Sequence, residues 1–178
     1  MQKQPGLWTI GHSTLPIDEF IASLKSFEIR TVVDVRSFPG SRRYPQYNKE
    51  RLAAGLAEGS VRYLHFPKLG GRRRAKPDSI NMAWRNEMFR GYADHMETTE
   101  FDEGIADLLS AAGLQRTAIM CAEAVWWRCH RSLISDYLKA KGIEVTHIMG
   151  IGKSESHSFT SAARIVDGQL SYRGILDK

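Results

Sequence analysis

The chain has 178 residues, of which 42% are hydrophobic and 25% charged, and its formal net charge is +5. This length suits one globular domain with a buried core, and the two cysteines are too few for a disulfide scaffold. No apolar run approaches the roughly 20 residues that span a bilayer, and the N-terminus lacks the apolar region of a signal peptide, so we expect a cytoplasmic protein without a membrane partner.

Strand and helix signals alternate along the chain. Short apolar or β-branched runs predict strands at residues 7–10, 31–35, 61–66, 117–120 and 144–149. Apolar residues at helical spacing predict helices from Pro16 onward and at residues 49–58, 81–95, 99–112 and 129–141. The polar, serine-rich stretch 153–158 predicts a mobile loop, and Asp167-Gly168 predicts the turn of a hairpin between residues 163–166 and 169–172.

This alternation predicts a three-layer α/β domain with a mainly parallel sheet, helices on both faces and a small C-terminal β-hairpin. We expect a single domain over residues 1–178, with a core at 1–152 and a loop-and-hairpin extension at 153–178. The loops that follow parallel strands emerge at one edge of the sheet. The residues that follow the strands should therefore meet there, namely His12, Ser13, Arg36, Ser41, Arg42, His65, Gly70, Gly71, Cys121, Glu123, Arg131 and His147.

The segment between the fourth strand and the following helix is the densest in chemically active groups. Cys121 and Glu123 follow the strand, and Cys129, His130 and Arg131 stand at the head of the helix. Two thiols, a carboxylate, an imidazole and a guanidinium thus fall within one strand-to-helix connection, where α/β proteins usually place a site. The segment predicts a site but does not specify its reaction.

Glu123 is the predicted acid or base. A carboxylate close to two tryptophans in sequence could have a raised pKa and transfer protons. His12 or Asp34 would share this work, although Asp34 is equally suited to an ion pair with Arg36 or Arg131.

Basic residues concentrate at positions 36–51 and 68–76, which favours an anionic partner. Guanidinium groups suit phosphate oxygens, and we assign Arg36, Arg42 and Arg131 to that role. Hydroxyls, backbone amides and imidazoles would add contacts to the ligand from Ser13, Ser41, Gly70, Gly71 and His147. Aromatic residues interleave with the basic clusters and could stack on nucleic-acid bases.

The thiols allow two further interpretations. Cys121 before a helix N-terminus could act as a thiolate in a phosphatase or sulfurtransferase, but its spacing to Arg128 is Cys-x6-Arg, and Glu123 within the loop would repel an anion. We predict no metal or other cofactor. Zinc would be held by Cys121, Cys129 and His130 if it were bound, although the usual Cys-x2-4-Cys spacing is absent.

Several motifs resemble the signature of one family. They are Thr9-Ile10-Gly11-His12-Ser13, Asp34-Val35-Arg36-Ser37, Ser41-Arg42, Leu69-Gly70-Gly71, Met120-Cys121-Ala122-Glu123, Cys129-His130-Arg131, Val145-Thr146-His147-Ile148 and the tail that begins at His157. In this order they resemble the DUF488 family. The resemblance implies an α/β fold and the same site residues, with His157 added to the substrate-binding set. It implies no activity, because the family is named for having none assigned.

Together these features predict an enzyme that acts on a phosphate-bearing substrate, a nucleotide or a nucleic acid. Arginines would hold the phosphate, and Glu123 would transfer a proton during hydrolysis. A non-catalytic nucleic-acid-binding module is the alternative, since it would keep the basic clusters but would not need Glu123, Cys121 or His12.

Overall fold

The computed structural model describes residues 6–174. The strands are β1 (Leu7–Gly11), β2 (Thr31–Asp34), β3 (Arg62–His65), β4 (Thr117–Cys121), β5 (Val145–Gly150), β6 (Lys153–Ser156), β7 (Arg164–Val166) and β8 (Gln169–Ser171). The helices are α1 (Ile17–Ser26), α2 (Lys49–Glu58), α3 (Glu87–His95), α4 (Thr99–Leu114) and α5 (Arg131–Ala140). Residues 6–174 contain no helix with the length and apolar character of a membrane span.

Six strands form the main sheet in the order β3-β2-β4-β1-β5-β6. All neighbouring pairs are parallel except β5 and β6, and β7 pairs with β8 in a separate hairpin. The mainly parallel sheet and the C-terminal hairpin confirm the predicted fold class. The central strand β4 is buried along its whole length, as expected for a parallel strand covered on both faces.

Helices cover both faces of the sheet. On one face, α1 and α2 bury Phe20, Leu24 and Leu56 against the strand side chains that point to that face, such as Val32. On the other face, α3, α4 and α5 pack against strand residues that include Ile119. Neighbouring strand residues contribute to opposite faces because successive side chains of a strand point to opposite sides of the sheet. The three layers are therefore helix, sheet and helix.

Three predicted helix boundaries were wrong, and one of them is the start of the helix predicted at residues 129–141, which begins at Arg131. The helix predicted at residues 81–95 begins only at Glu87, because the Asn86 side chain caps it by accepting hydrogen bonds from the amides of Met88 (2.9 Å) and Phe89 (3.3 Å). In α4, Gly113 does not end the helix, which continues to Leu114.

The stretch predicted as a mobile loop contains β6, which pairs with the edge strand β5. All four residues of β6 are exposed, so their side chains have no apolar pattern to reveal a strand. A short, polar edge strand also discourages pairing with other chains. The predicted hairpin turn is confirmed, since Asp167 (φ 51°) and Gly168 (φ 78°) both adopt the left-handed conformation that a two-residue turn requires.

Candidate functional site

A cavity of about 660 Å³ opens at the carboxyl edge of the sheet. Its walls come from the loops after β1, β2, β3 and β4, from the start of α3 and from the turn before α5. Seven of the predicted catalytic and substrate-binding residues line it, namely His12, Ser13, Arg36, Ser41, Gly71, Cys121 and Glu123. The others, Asp34, Arg42, Gly70, Arg131, His147 and His157, are absent from its lining. The cavity thus combines residues from distant parts of the chain, as the parallel topology predicts.

Three arginines that were not singled out as ligand contacts line this cavity: Arg43, Arg72 and Arg128. Within residues 6–174, none of them has a carboxylate within ion-pair distance. Glu123 is the one acidic residue among the lining residues that the structure describes. The cavity wall therefore carries an excess of positive charge, which suits an anion.

Arg36 forms a buried ion pair with Asp34 at the end of β2. Its Nη2 and Nε atoms donate to the Asp34 carboxylate at 2.8 and 3.0 Å, and the Tyr63 hydroxyl donates to the same group at 2.5 Å. Burial opposes the charge on Arg36, but the hydrogen bond and the charge of Asp34 outweigh it and raise the pKa of the guanidinium. The ion-pair role of Asp34 is the one observed, so Asp34 is not free to act as a base.

His12 lies against Arg36 at the end of β1. Arg36 Nη1 faces His12 Nε2 at 3.3 Å, and His12 Nδ1 lies 2.9 Å from the Ser13 carbonyl oxygen. Because a guanidinium can only donate, Nε2 accepts and Nδ1 carries the proton. Burial and the Arg36 charge lower the pKa of His12 to about 4, so the ring is neutral near pH 7. It stacks on Tyr47 with centroids 4.0 Å apart, which fixes its orientation.

Arg131 lies beneath the cavity and is only 1% exposed. Its guanidinium donates to Cys121 Sγ (3.0 Å), to Thr9 Oγ1 (3.0 Å) and to the Glu123 carbonyl oxygen (2.6 Å). These contacts hold the β4–α5 connection against β1. With all three nitrogens engaged in the protein, Arg131 is a structural cation and not the phosphate ligand that we predicted from the sequence.

Close packing explains the glycines of the site better than contact with a ligand. A Cβ atom on Gly71 would lie 2.5 Å from His130 Nδ1, and one on Gly70 would lie 2.6 Å from Ser37 Oγ. At Gly11 the same atom would lie 1.9 Å from the Glu123 carbonyl oxygen. The glycines thus allow three separate loops to approach one another closely.

Glu123 is exposed at the cavity wall. Its Oε1 accepts a hydrogen bond from the Val125 amide at 3.4 Å. The apolar surroundings predicted from the neighbouring tryptophans are absent, because Trp126 stacks on His147 with centroids 4.2 Å apart and planes at 5°. Glu123 is therefore a solvated carboxylate that faces the arginine-lined cavity.

His147 and His157 belong to a buried hydrogen-bond chain away from the cavity. Thr9 Oγ1 lies 2.6 Å from His147 Nδ1, and His147 Nε2 lies 2.9 Å from His157 Nδ1. His157 Nε2 then contacts the Asp136 carboxylate at 2.8 Å, and the Tyr172 hydroxyl donates to that carboxylate at 2.7 Å. Burial and the neighbouring His157 lower the pKa of His147 to about 3. This hydrogen-bond chain therefore joins α5 to the sheet and to the hairpin, and the two histidines have a structural role in it.

Sequence reasoning did not identify Asp136. It is fully buried on α5, at the border of the apolar stripe that contains Leu133 and Tyr137. A charged residue beside such a stripe is a signal that it needs a buried partner. The partner itself, His157, could not be inferred from that spacing.

The two cysteines are free and nearly buried, with exposed fractions of 3% for Cys121 and 6% for Cys129. Burial, together with a hydrogen bond to Cys129, raises the pKa of Cys121 well above its ordinary value. Burial acts in the same direction on Cys129, but the hydrogen bond from Cys121 and the neighbouring His130 and Arg131 lower the pKa of Cys129 well below its ordinary value. A thiolate is thus favoured at Cys129 and disfavoured at Cys121.

Across residues 6–174, no three histidine, cysteine or acidic side chains converge in a way that could hold a metal ion. The ring of His130 faces Cys129 Sγ through Nδ1 at 3.6 Å, and its Nε2 donates to the Val35 carbonyl oxygen at 2.8 Å. A donating Nε2 carries a proton, so Nδ1 is the ring nitrogen that can accept a hydrogen bond.

The fold and this cavity define a three-layer α/β domain with an arginine-lined site at the carboxyl edge of its sheet. The family model described as "Domain of unknown function DUF488" matches residues 16–138, so the chain belongs to the DUF488 family. No curated protein and no solved structure matches the chain significantly.

Proposed function

We propose that this protein is an enzyme that acts on a phosphate-bearing substrate, a nucleotide or a nucleic acid, and that it works by hydrolysis. The observation that carries the proposal is the cavity wall, where Arg43, Arg72 and Arg128 face the same space and have no carboxylate partner in the described structure. Unpaired guanidiniums around a concave site favour a ligand with several anionic oxygens.

Glu123 is the proposed general acid or base. It is the acidic lining residue of the described cavity, and it lies in the loop after β4, in a wall that also contains the arginines. His12 has both ring nitrogens engaged and Asp34 is held by Arg36, so neither is free to accept a proton from water. Glu123 would activate a water molecule or protonate a leaving group, while the arginines hold the phosphate.

An aromatic rim supports a substrate that carries a base. Phe38 is 72% exposed at the cavity, and the Arg72 guanidinium lies 5.5 Å from its ring centroid. A nucleobase can stack on such a pair while the phosphates contact the arginines. This combination favours a nucleotide or single-stranded nucleic acid over inorganic phosphate alone.

The direct test is Glu123→Gln, assayed with nucleoside triphosphates and with short single-stranded oligonucleotides, the products being separated by chromatography. General acid–base catalysis contributes roughly 10²–10⁴-fold, so turnover should fall by at least about 100-fold while substrate affinity is retained. Glu58→Gln, an exposed carboxylate at the end of α2, is the matched control and should leave turnover unchanged. Absence of any product from the wild type would contradict the proposed hydrolysis.

A non-catalytic nucleic-acid-binding module is the second candidate, favoured by the same exposed Phe38–Arg72 pair. It predicts tight, strongly salt-dependent oligonucleotide binding without turnover and without any effect of Glu123→Gln. The two candidates therefore differ in a single assay.

The anion site itself is tested by Arg72→Gln. Loss of a phosphate contact should weaken oligonucleotide binding and reduce the slope of log affinity against log salt by about one. Arg62→Gln removes the same charge at the amino end of β3, on the opposite edge of the sheet, and should leave that slope nearly unchanged. Equal effects of the two substitutions would show that only the overall charge matters.

A further inference from the structure

Two thiols meet at the buried guanidinium of Arg131. Arg131 Nε donates to Cys121 Sγ at 3.0 Å, and the Arg131 backbone amide donates to Cys129 Sγ at 3.4 Å. Each cysteine also affects the pKa of the other, so the two thiols are neighbours. Both residues line the cavity.

The surroundings of Cys129 stabilise a thiolate. It lies two residues before the first residue of α5, whose N-terminus favours negative charge. Its sulfur accepts a hydrogen bond from the Arg131 amide and faces His130 Nδ1 at 3.6 Å, a ring nitrogen that can take the proton of the thiol. Its thiol neighbour, Cys121, can donate S–H to the thiolate. This is the arrangement of an attacking thiolate beside a second thiol.

The buried cation gives a physical reason for an anion here. Arg131 is 1% exposed, yet within the described part of the chain it has no carboxylate partner. Arg36, the other buried guanidinium of the site, has Asp34. An unpaired buried charge is costly, and a thiolate in the cysteine pair would supply the missing negative charge.

We propose that Cys129 and Cys121 form a dithiol–disulfide centre that exchanges with small anionic disulfides, with Cys129 as the attacking thiol and Cys121 as the resolving thiol. The Cys129 thiolate attacks one sulfur of the disulfide, forms a mixed disulfide and releases the other half as a thiolate. That thiolate takes the proton of Cys121, whose sulfur then attacks Cys129 Sγ and expels the second half as a thiolate. The cysteines lose two electrons in total, and the small disulfide gains them.

The charge of the cavity wall determines which disulfides are attracted to it. Arg43, Arg72 and Arg128 line the same cavity as the two cysteines, whereas the described wall contains one carboxylate, Glu123. An anionic disulfide is attracted to this wall and a cationic one is repelled. This activity requires none of the proton transfer proposed for Glu123, and it is tested separately from that function.

The experiment uses the full chain, in which Cys121 and Cys129 are the only cysteines. Reduced protein is incubated with oxidised glutathione, which is anionic, or with cystamine, which is cationic. The reaction is quenched with an alkylating agent, and the mass of the protein is measured by mass spectrometry. The urea-unfolded protein provides the reference rate for each reagent. We expect the folded protein to become two hydrogens lighter, and its rate relative to the unfolded chain to be at least about tenfold higher with glutathione than with cystamine.

Single variants assign the two roles. Cys121→Ser should stop at a mixed disulfide on Cys129, and Cys129→Ser should react slowly or not at all. Cys121→Ala repeats the first test if serine disturbs the fold, and circular dichroism checks that each variant is folded. Glu58→Gln, an exposed carboxylate outside the cavity lining, should leave the exchange unchanged. Loss of exchange in the cysteine variants would leave the proposed hydrolysis standing, because that reaction needs neither thiol.

Two results would overturn the proposal. One is a folded wild type that keeps two alkylatable thiols under conditions that oxidise the unfolded chain. The other is a mixed disulfide that forms on Cys121 in Cys129→Ser faster than on Cys129 in Cys121→Ser.

Discussion

Arg36 and Arg131 are both buried guanidiniums, but their partners differ. Arg36 has the carboxylate of Asp34, whereas Arg131 donates to a thiol, a hydroxyl and a carbonyl oxygen. The second arrangement depends on the planar fork of arginine, since three acceptors lie in different directions around it. At the scale of single residues, the directions of the hydrogen bonds therefore stabilise the site as much as ion pairing does.

Arg131→Lys keeps the charge but cannot reach all three acceptors. The buried groups left without a donor should lower the free energy of unfolding by about 3 kcal/mol, measured by urea denaturation at pH 7. Arg128→Lys, at an exposed position of the same connection, should change it by less than about 0.5 kcal/mol. Similar effects of the two substitutions would contradict the structural role of Arg131.

His12 predicts how stability depends on pH. The unfolded chain takes up the proton near the ordinary pKa of 6.5, whereas the folded protein takes it up only near pH 4. Between these values the unfolded state binds more protons, so stability falls as the pH falls from about 6.5 to about 4, by on the order of 3 kcal/mol. His147, whose pKa is lowered to about 3, contributes with the same sign. Urea titrations at several pH values should give a shallower slope for His12→Asn than for the wild type. An unchanged slope would show that His12 is not the group responsible.

At the scale of elements, the C-terminal hairpin is tied to the core through α5. The Tyr172 hydroxyl, just after β8, donates to the buried Asp136 carboxylate at 2.7 Å, and the same carboxylate receives the Thr160 amide at 3.0 Å and hydroxyl at 2.6 Å. One acidic side chain of a helix thus anchors the segment that follows β6. The hairpin is part of the domain's packing and not a loose appendage.

Tyr172→Phe tests this anchor. Loss of a hydrogen bond to a charged group should lower the free energy of unfolding by about 1–2 kcal/mol and speed amide hydrogen exchange in β7 and β8. Tyr137→Phe is the matched control, because the Tyr137 hydroxyl has no hydrogen bond to the residues that the structure describes, and it should have little effect. Faster exchange in both variants would argue against a specific anchor.

At the scale of the whole molecule, the site depends on how tightly β1 and the β4–α5 connection meet. Gly11 pairs with Cys121 in the sheet, and its Cα approaches the Glu123 carbonyl oxygen that Arg131 binds. The parallel order of the strands brings these loops to one edge, and the missing side chain lets them touch. The arginine-lined cavity, the two thiols and the buried arginine therefore depend on the same packing.

Gly11→Ala should disturb all of these together. The new Cβ would lie 1.9 Å from the Glu123 carbonyl oxygen, and overpacking of this kind costs about 1–3 kcal/mol, measurable as a lower midpoint in urea. Gly113→Ala meets nothing within 4 Å in α4 and should stabilise the protein by about 0.5–1 kcal/mol through helix propensity. A neutral Gly11→Ala would mean that the loop can move away without cost.

The sequence by itself determined the alternation of strands and helices, because apolar spacing is a local property that records which side of each element is buried. It also determined that His12, Arg36, Cys121 and Glu123 would share the carboxyl edge, since that follows from parallel strands alone. It did not reveal β6, whose exposed side chains carry no apolar pattern, or the late start of α3, where a side-chain cap decided the boundary.

Only the tertiary structure decided what each side chain does at that edge. Thr9 and Arg131 are 122 residues apart in sequence, and their hydrogen bond depends on strand register and on the packing of α5. The same packing places Arg131 beneath the cavity and His147 and His157 in a buried hydrogen-bond chain. It leaves Arg43, Arg72 and Arg128 at the cavity wall. Hydrogen-bond partners and burial are properties of the assembled fold, so residue type and spacing located the site but could not assign its roles.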